Sequence, residues 1–142
     1  MMRTFTGNLR SVVLPAILVL LVACGDEPGD PEAEIRAWGD AMEQAAEDKA
    51  RGDMMNGISK AYVDARGHSR DDIGNLLRLY FLRQNSVSLW SKIDEVTVID
   101  GTAAEVSISV GMAATNDRAL GISADAYRFE LELEHDGNEW QL

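Results

Sequence analysis

Residues 127–134, Tyr127-Arg128-Phe129-Glu130-Leu131-Glu132-Leu133-Glu134, alternate apolar and charged side chains without a break. A period of two puts Tyr127, Phe129, Leu131 and Leu133 on one face of a strand and the charges on the other. A fully charged face must meet water, so the strand belongs to an antiparallel sheet with one covered side. Behind it, Asp136-Gly137 reads as a hairpin turn and Glu139-Trp140-Gln141-Leu142 as a short last strand. Ahead of it, Ala104, Val106, Ile108, Val110 and Met112 alternate with Glu105, Ser107 and Ser109, which predicts a neighbouring strand. The stretch Ala113 to Ser123, with Asn116, Asp117 and Gly121, reads as a loop. Asp100-Gly101 predicts the hairpin leading back to a long strand over about residues 86–99. There Val87, Leu89 and Ile93 share a face but Val96 and Val98 fall on the other, which predicts a bulge near Asp94-Glu95.

Before residue 86 the apolar period is helical. A first helix is expected over about residues 31–50: Pro31 suits its first turn, Glu32 and Glu34 suit the positive end of its dipole, and Gly52 should end it. Its stripe is Ile35, Trp38, Met42 and Ala45 or Ala46. Asp53 should cap a shorter helix carrying Met54, Met55, Ile58, Ala61 and Tyr62, with Gly67 as a left-handed turn residue after it. Ser69 and Asp72 form a capping box for a third helix reaching Gln84. Ile73, Leu76, Leu77, Tyr80 and Phe81 give its stripe; Leu79 and Leu82 widen it, so this helix should be covered on more than one side, with Leu77 and Phe129 nearly fully buried. Three helices followed by an antiparallel meander make an α+β fold, with N-terminal helices packed on one face of a curved antiparallel sheet.

The N-terminus has a different character. Arg3 and Arg10 precede an apolar run from Val12 to Ala23 that contains Pro15 and is too short for a membrane span. Leu21-Val22-Ala23-Cys24 at its end resembles the lipobox of bacterial lipoproteins, which implies cleavage before Cys24 and lipidation of its thiol. The expected organisation is a signal peptide at 1–23, the lipidated Cys24 with a Gly-, Pro- and acid-rich tether at 24–31, and one domain at 32–142. Gly25 follows the cysteine where enteric bacteria place an aspartate for inner-membrane retention, so a periplasm-facing, outer-membrane location is expected. Cys24 is the sole cysteine, so no internal disulfide forms. The formal charge of −11 becomes −13 once Arg3 and Arg10 leave, which disfavours nucleic acid and anionic lipid heads as partners. Only His68 and His135 could add imidazole ligands, at no metal-binding spacing, and no cofactor is expected.

Ile58-Ser59-Lys60-Ala61-Tyr62-Val63-Asp64 leading to Gly67, the Leu76–Phe81 helix and the closing Trp140-Gln141-Leu142 resemble nuclear transport factor 2-like proteins of the cystatin-like class, over most of residues 32–142. Members of that family usually continue the last strand, so the resemblance implies an incomplete sheet edge here or a shortened member. It also implies a cone-shaped cavity between helices and sheet, used for catalysis by ketosteroid isomerases and polyketide cyclases and for binding by others. Catalysis of that type needs a carboxylate base and hydrogen-bond donors in an apolar pocket. The inward positions of the second and third strands read as apolar or aromatic throughout, with no Asp or Glu. Asp64 is the remaining carboxylate, near Tyr62, Arg66 and His68. Tyr62, Asp64, Tyr80, Tyr127, Phe129 and His135 are candidate pocket residues; none is assigned a catalytic role. The competing assignments are a core aromatic for Tyr62, helix-end charges for Asp64 and Arg66, an exposed turn for His68 and a strand end for His135. The expectation is a membrane-anchored, non-catalytic module that takes a small apolar ligand or an envelope partner. The alternatives are an isomerase- or cyclase-type enzyme using Asp64, and a structural envelope protein filled by its own side chains. The outward row Glu130, Glu132 and Glu134, with Glu105 beside it, opposes dimerisation through that sheet face, so a monomer is expected.

Overall fold

Ala104 faces Leu133, Val106 faces Leu131, Ile108 faces Phe129 and Val110 faces Tyr127, the register that brings the apolar sides of two alternating segments together. These segments are β2 (Ala103–Thr115) and β3 (Ile122–His135), the inner strands of a four-stranded antiparallel sheet ordered β1-β2-β3-β4. β1 spans Ser86–Ile99 and β4 spans Trp140–Gln141. The computed structural model describes residues 29–115 and 122–142; Cys24 with its signal, and the loop residues Asn116, Asp117 and Gly121, lie outside the described residues. The β1–β2 register slips between Ile93 and Glu95. One skipped residue returns Val96 and Val98 to the face of Val87, Leu89 and Ile93, where they oppose Val106 and Ala104. Asp100 (φ 45°) and Gly101 (φ 76°) take positive dihedrals in the tight turn, where the Thr102 N–H donates to the Ile99 carbonyl and Ile99 pairs with Ala103.

Three helices precede the sheet: α1 (Pro31–Glu47), α2 (Arg51–Asn56) and α3 (Arg70–Arg83). Asp30 caps α1 by accepting the Glu32 N–H, with Pro31 at the first position and two acids in the first turn. α1 lies on the concave side of β1 and drives Ile35 into a core with Ala104, Val106, Leu133 and Trp140. Trp38, Ile93, Val96, Leu131 and Leu142 pack around it. The core therefore sits at the hairpin end of the sheet. α1 also closes the free edge of β1: Glu43 accepts the Ser91 N–H at 2.6 Å and Glu47 accepts the Leu89 N–H at 3.2 Å.

The helix boundaries differ from expectation. α1 ends at Glu47, where Asp48 caps it and Lys49 turns the chain at φ 53°. The strain at a non-glycine residue is offset because Lys49 Nζ donates to the carbonyls of Gln84 and Asn85, each at 3.2 Å. Gly52 therefore ends nothing: it lies inside α2, whose N-cap is Ala50, and Asp53 contributes only charge to the first turn. α2 stops at Asn56, so Ile58, Ala61 and Tyr62 lie beyond it in a connection of turns, where the Tyr62 N–H donates to the Ser59 carbonyl and Ile58 is nevertheless buried.

α3 opens with the capping box of Ser69 and Asp72, as expected, and ends at Arg83 with Gln84 as C-cap. Its burial does not follow the expectation. Only Gly74 is fully buried, Leu77 is half-buried, and Leu76, Leu79 and Leu82 (74 % exposed) face outward. α3 packs on α2, where Arg51 Nε donates to the Gly74 carbonyl and Met55 lies against Gly74. Among the described residues no second layer covers its far side, and an apolar stripe buries only where something lies over it.

Candidate functional site

The inward register of β3 runs from the core outward through Leu133, Leu131, Phe129, Tyr127 and Asp125. Leu133 is 2 % exposed, Phe129 is 44 % and Tyr127 is 48 % exposed. α1 packs along β1, and Val87 and Ala114 are buried even at the far end of β1 and β2, but residues 124–130 of β3 are all exposed, which is why Phe129 is not the buried residue its alternation predicts. The Tyr127 and Phe129 rings stack with centroids 5.9 Å apart and planes 27° apart. From α3, the Tyr80 hydroxyl reaches Met112 Sδ at 3.2 Å. Burial pushes the Tyr80 phenol up, and the charges of Asp125 and ionised Tyr127 add to that.

Asp125 overturns the expectation that the inward positions hold no acid. It faces Met112 and shares the register of Tyr127. β3 begins at Ile122, not after the loop at Ser123, so the alternation extends back past Tyr127. The signal was the period itself, continued one step toward the N-terminus.

A second group forms where the chain turns between α2 and α3. Asp64 Oδ1 accepts the N–H groups of Arg66 and His68, both at 2.8 Å, and its Oδ2 lies 2.8 Å from His68 Nδ1. Gly67, at φ 85°, supplies the left-handed residue this loop requires. His68 is therefore half-buried in a pair rather than free in the turn; the four-residue spacing across a glycine is the sequence signal for it. The hydrogen bond with the His68 side chain, then the His68 N–H, hold the Asp64 carboxyl below the usual carboxylate value. Burial, and next the Asp64 charge, raise the Tyr62 phenol. Tyr62, Val63 and Asp64 form one wall of a cleft of about 810 Å³; Leu131, Glu132 and Leu133 of β3 form the facing wall.

The six candidate residues thus fall in three places. Tyr80, Tyr127 and Phe129 share the open end of the concave face with Asp125, Tyr62 and Asp64 share the cleft, and His135 belongs to neither. His135 packs edge-on against Trp140 at 5.2 Å, lies 3.9 Å from Glu34 and accepts the Gly137 N–H at 3.1 Å, a strand-end arrangement. Among the described residues no group of His, Cys, Asp and Glu could hold a metal ion.

No family model matches the sequence, and no curated protein matches it. Solved structures do match in shape. A ketosteroid isomerase-like protein from Erwinia carotovora atroseptica superposes with a TM-score of 0.62 at 18 % identity, over 77 % of this chain and 88 % of its own. A nuclear transport factor 2-like superfamily protein from Salmonella enterica gives 0.64 at 14 % identity, over 78 % and 84 %. A conserved protein from Planctomyces limnophilus gives 0.71 at 14 % identity, over 78 % and 89 %. At such identities the likeness is one of fold: N-terminal helices on a curled antiparallel half-barrel of nuclear transport factor 2-like type.

Proposed function

We propose that this domain of nuclear transport factor 2-like fold is a non-catalytic binding module, tethered to the bacterial cell envelope through a lipid on Cys24, whose concave face takes a small apolar, ring-bearing ligand. The observation that carries the binding reading is the stacked Tyr127–Phe129 pair, nearly half exposed on the inner face of a sheet. Apolar surface in a concavity is the common feature of small-ligand sites, and aromatic faces reward flat ligands by stacking. Tyr80 and Asp125 at the rim supply a hydroxyl and a carboxylate to orient a polar edge of that ligand. The probe for this is N-phenyl-1-naphthylamine, whose emission rises in apolar surroundings. Phe129→Ala and Tyr127→Ala should each weaken its binding about tenfold with the far-ultraviolet circular dichroism unchanged; unchanged affinity in both refutes the reading.

The anchoring rests on Leu21-Val22-Ala23-Cys24-Gly25. Lipid chains contribute about 0.8 kcal/mol per buried CH₂, so dual acylation holds a chain to a bilayer and a polybasic patch is unnecessary. Cys24→Ser should abolish incorporation of labelled palmitate and release the protein from the membrane fraction. Equal labelling of the variant would sink it. The orientation proposed is periplasm-facing, on the outer membrane.

One observation favours a second reading, an isomerase- or cyclase-type enzyme. Asp64 lines a cleft with its Oδ2 2.8 Å from His68 Nδ1, a carboxylate–imidazole pair beside a cavity. Against it, both Asp64 oxygens are engaged in holding the turn. His68→Gln should leave probe binding unchanged under the binding reading.

A further inference from the structure

The formal charge of −11 is not spread evenly over the chain. Residues 49–85, which hold α2, α3 and their connection, contain seven of its 13 Lys and Arg but only four of its 24 Asp and Glu. Among the described residues none of these seven cations makes an ion pair, although carboxylates are in large excess. Lys49, Arg51 and Arg70 donate to backbone carbonyls instead. Arg78 and Arg83 stand exposed on α3. Exposed charges farther apart than about 8 Å are largely screened at physiological ionic strength. A surface in contact with α3 therefore meets these cations and not the carboxylates on the outer face of the sheet.

The same helix carries exposed leucines. α3 turns Leu77, Tyr80 and the buried Gly74 toward the sheet and α2. At 3.6 residues per turn, Leu79 and Leu82 stand about 140–160° round the helix from Leu77. They point away from the sheet, where no strand within it reaches, and are 51 % and 74 % exposed. Leu76 flanks Tyr80 on the sheet side and does not belong to this patch. By the same spacing Arg78 lies on one flank of the leucine pair and Arg83 on the other. The Lys49 ammonium sits at the C-terminal end of the helix, on the Gln84 and Asn85 carbonyls. The acids of α3, Asp71 and Asp72, are in its first turn, about 10–12 Å along the axis from Leu79. Leucines between cations suit an anionic bilayer surface, where apolar side chains enter the headgroup boundary and arginines reach phosphates. Nucleic acid would meet the cations but leave the leucines in water.

We propose that the outward side of α3, with Leu79 and Leu82 between Arg78 and Arg83, rests on the anionic headgroup layer of the membrane and fixes the orientation of the domain there. The proposal rests on the anchoring at Cys24. Six residues separate Cys24 from Pro31, so the start of α1 stays within about 25 Å of the bilayer, at roughly 3.5 Å per residue. The acyl chains hold the chain to the membrane, and tethering makes the second contact intramolecular. A few side chains then suffice to select which side of a confined domain meets the lipid. The net negative charge disfavours binding from free solution and turns the rest of the domain away from the same surface.

The test is photo-crosslinking of the lipidated chain, purified from membranes and reconstituted into vesicles of phosphatidylethanolamine and phosphatidylglycerol. Leu82→p-benzoylphenylalanine and, on the outer face of the sheet, Thr97→p-benzoylphenylalanine put the probe at two exposed positions. Phospholipid adducts are read from the mass of the intact chain. Position 82 should give about tenfold more adduct than position 97. That adduct should fall at least threefold with Arg78→Gln plus Arg83→Gln, and likewise in phosphatidylcholine vesicles. Absence of palmitate on Cys24 would count against the anchoring alone: the thiol is then coupled to maleimide-bearing phosphatidylethanolamine in the vesicles and the same comparison is made. Equal adduct at the two positions overturns the proposal. So does an adduct at position 82 that ignores both the arginines and the lipid charge, or crosslinking of that position to a second chain.

Discussion

Leu133 and Phe129 occupy the same face of the same strand four residues apart, and the structure assigns them opposite fates. Leu133 lies at the centre of the core, so Leu133→Ala removes three buried carbons among Ile35, Ala104, Val106 and Trp140 with little room to collapse. Its cost belongs in the upper part of the Leu→Ala range, about 3–5 kcal/mol. Phe129 is 44 % exposed, so only about half of its side chain leaves water on folding. Halving the roughly 3–5 kcal/mol of a fully buried Phe→Ala change gives about 2 kcal/mol, with no sealed cavity left behind. Urea denaturation followed by circular dichroism measures both. Leu133→Ala should lower the midpoint clearly more than Phe129→Ala, at unchanged slope in each, because the native surface is altered only locally. A larger loss for Phe129→Ala would refute the reasoning: the ring would then be covered in solution, the concave face closed at that end, and the argument for an exposed stacking surface lost.

The Asp64 carboxylate, stabilised by His68 and two N–H groups, titrates below its ordinary 3.8, so its contribution to the turn is complete above that value and lost as pH falls through the depressed folded value. Exchange of the Arg66 and His68 amides should speed up over that window, and Asp64→Ala should remove the pH dependence. Ser69→Ala removes the acceptor for the Asp72 N–H and should destabilise the domain by about 1 kcal/mol in denaturant melts. Trp90 is 68 % exposed, its ring lying on Gly111, whereas Trp140 is buried; Trp90→Phe should abolish most of the iodide-quenchable tryptophan fluorescence. The domain expressed from Gly25 onward should run as a monomer in light scattering at micromolar concentration, and a dimer burying Glu130 and Glu132 would contradict the reading of that sheet face.

The sheet was legible because its signals are local. Period two in β2 and β3, Asp100-Gly101 at the hairpin and the misplaced pair Val96–Val98 at the bulge are all read within a few residues. The helix ends were not, since each is decided by a distant contact. Lys49 turns the chain with its ammonium held by the carbonyls of Gln84 and Asn85, just past the C-terminal end of α3. Nothing in residues 45–53 announces that, and Gly52 is the better-looking stop.

The site was legible to the degree that it depends on alternation rather than on cover. Alternation gives the face a side chain occupies, and by that rule Tyr127, Phe129 and Asp125 belong together, as they do. Which part of a face is covered depends on where helices cross it, and that is set by tertiary packing. α1 is drawn to the hairpin end by Ile35 and Trp38 and tied along β1 by Glu43 and Glu47, so it cannot also reach Phe129. α3 touches the sheet through Tyr80 and Met112 while Leu76, Leu79 and Leu82 face away. An apolar residue in the right register but beyond the reach of the helices stays exposed instead of joining the core.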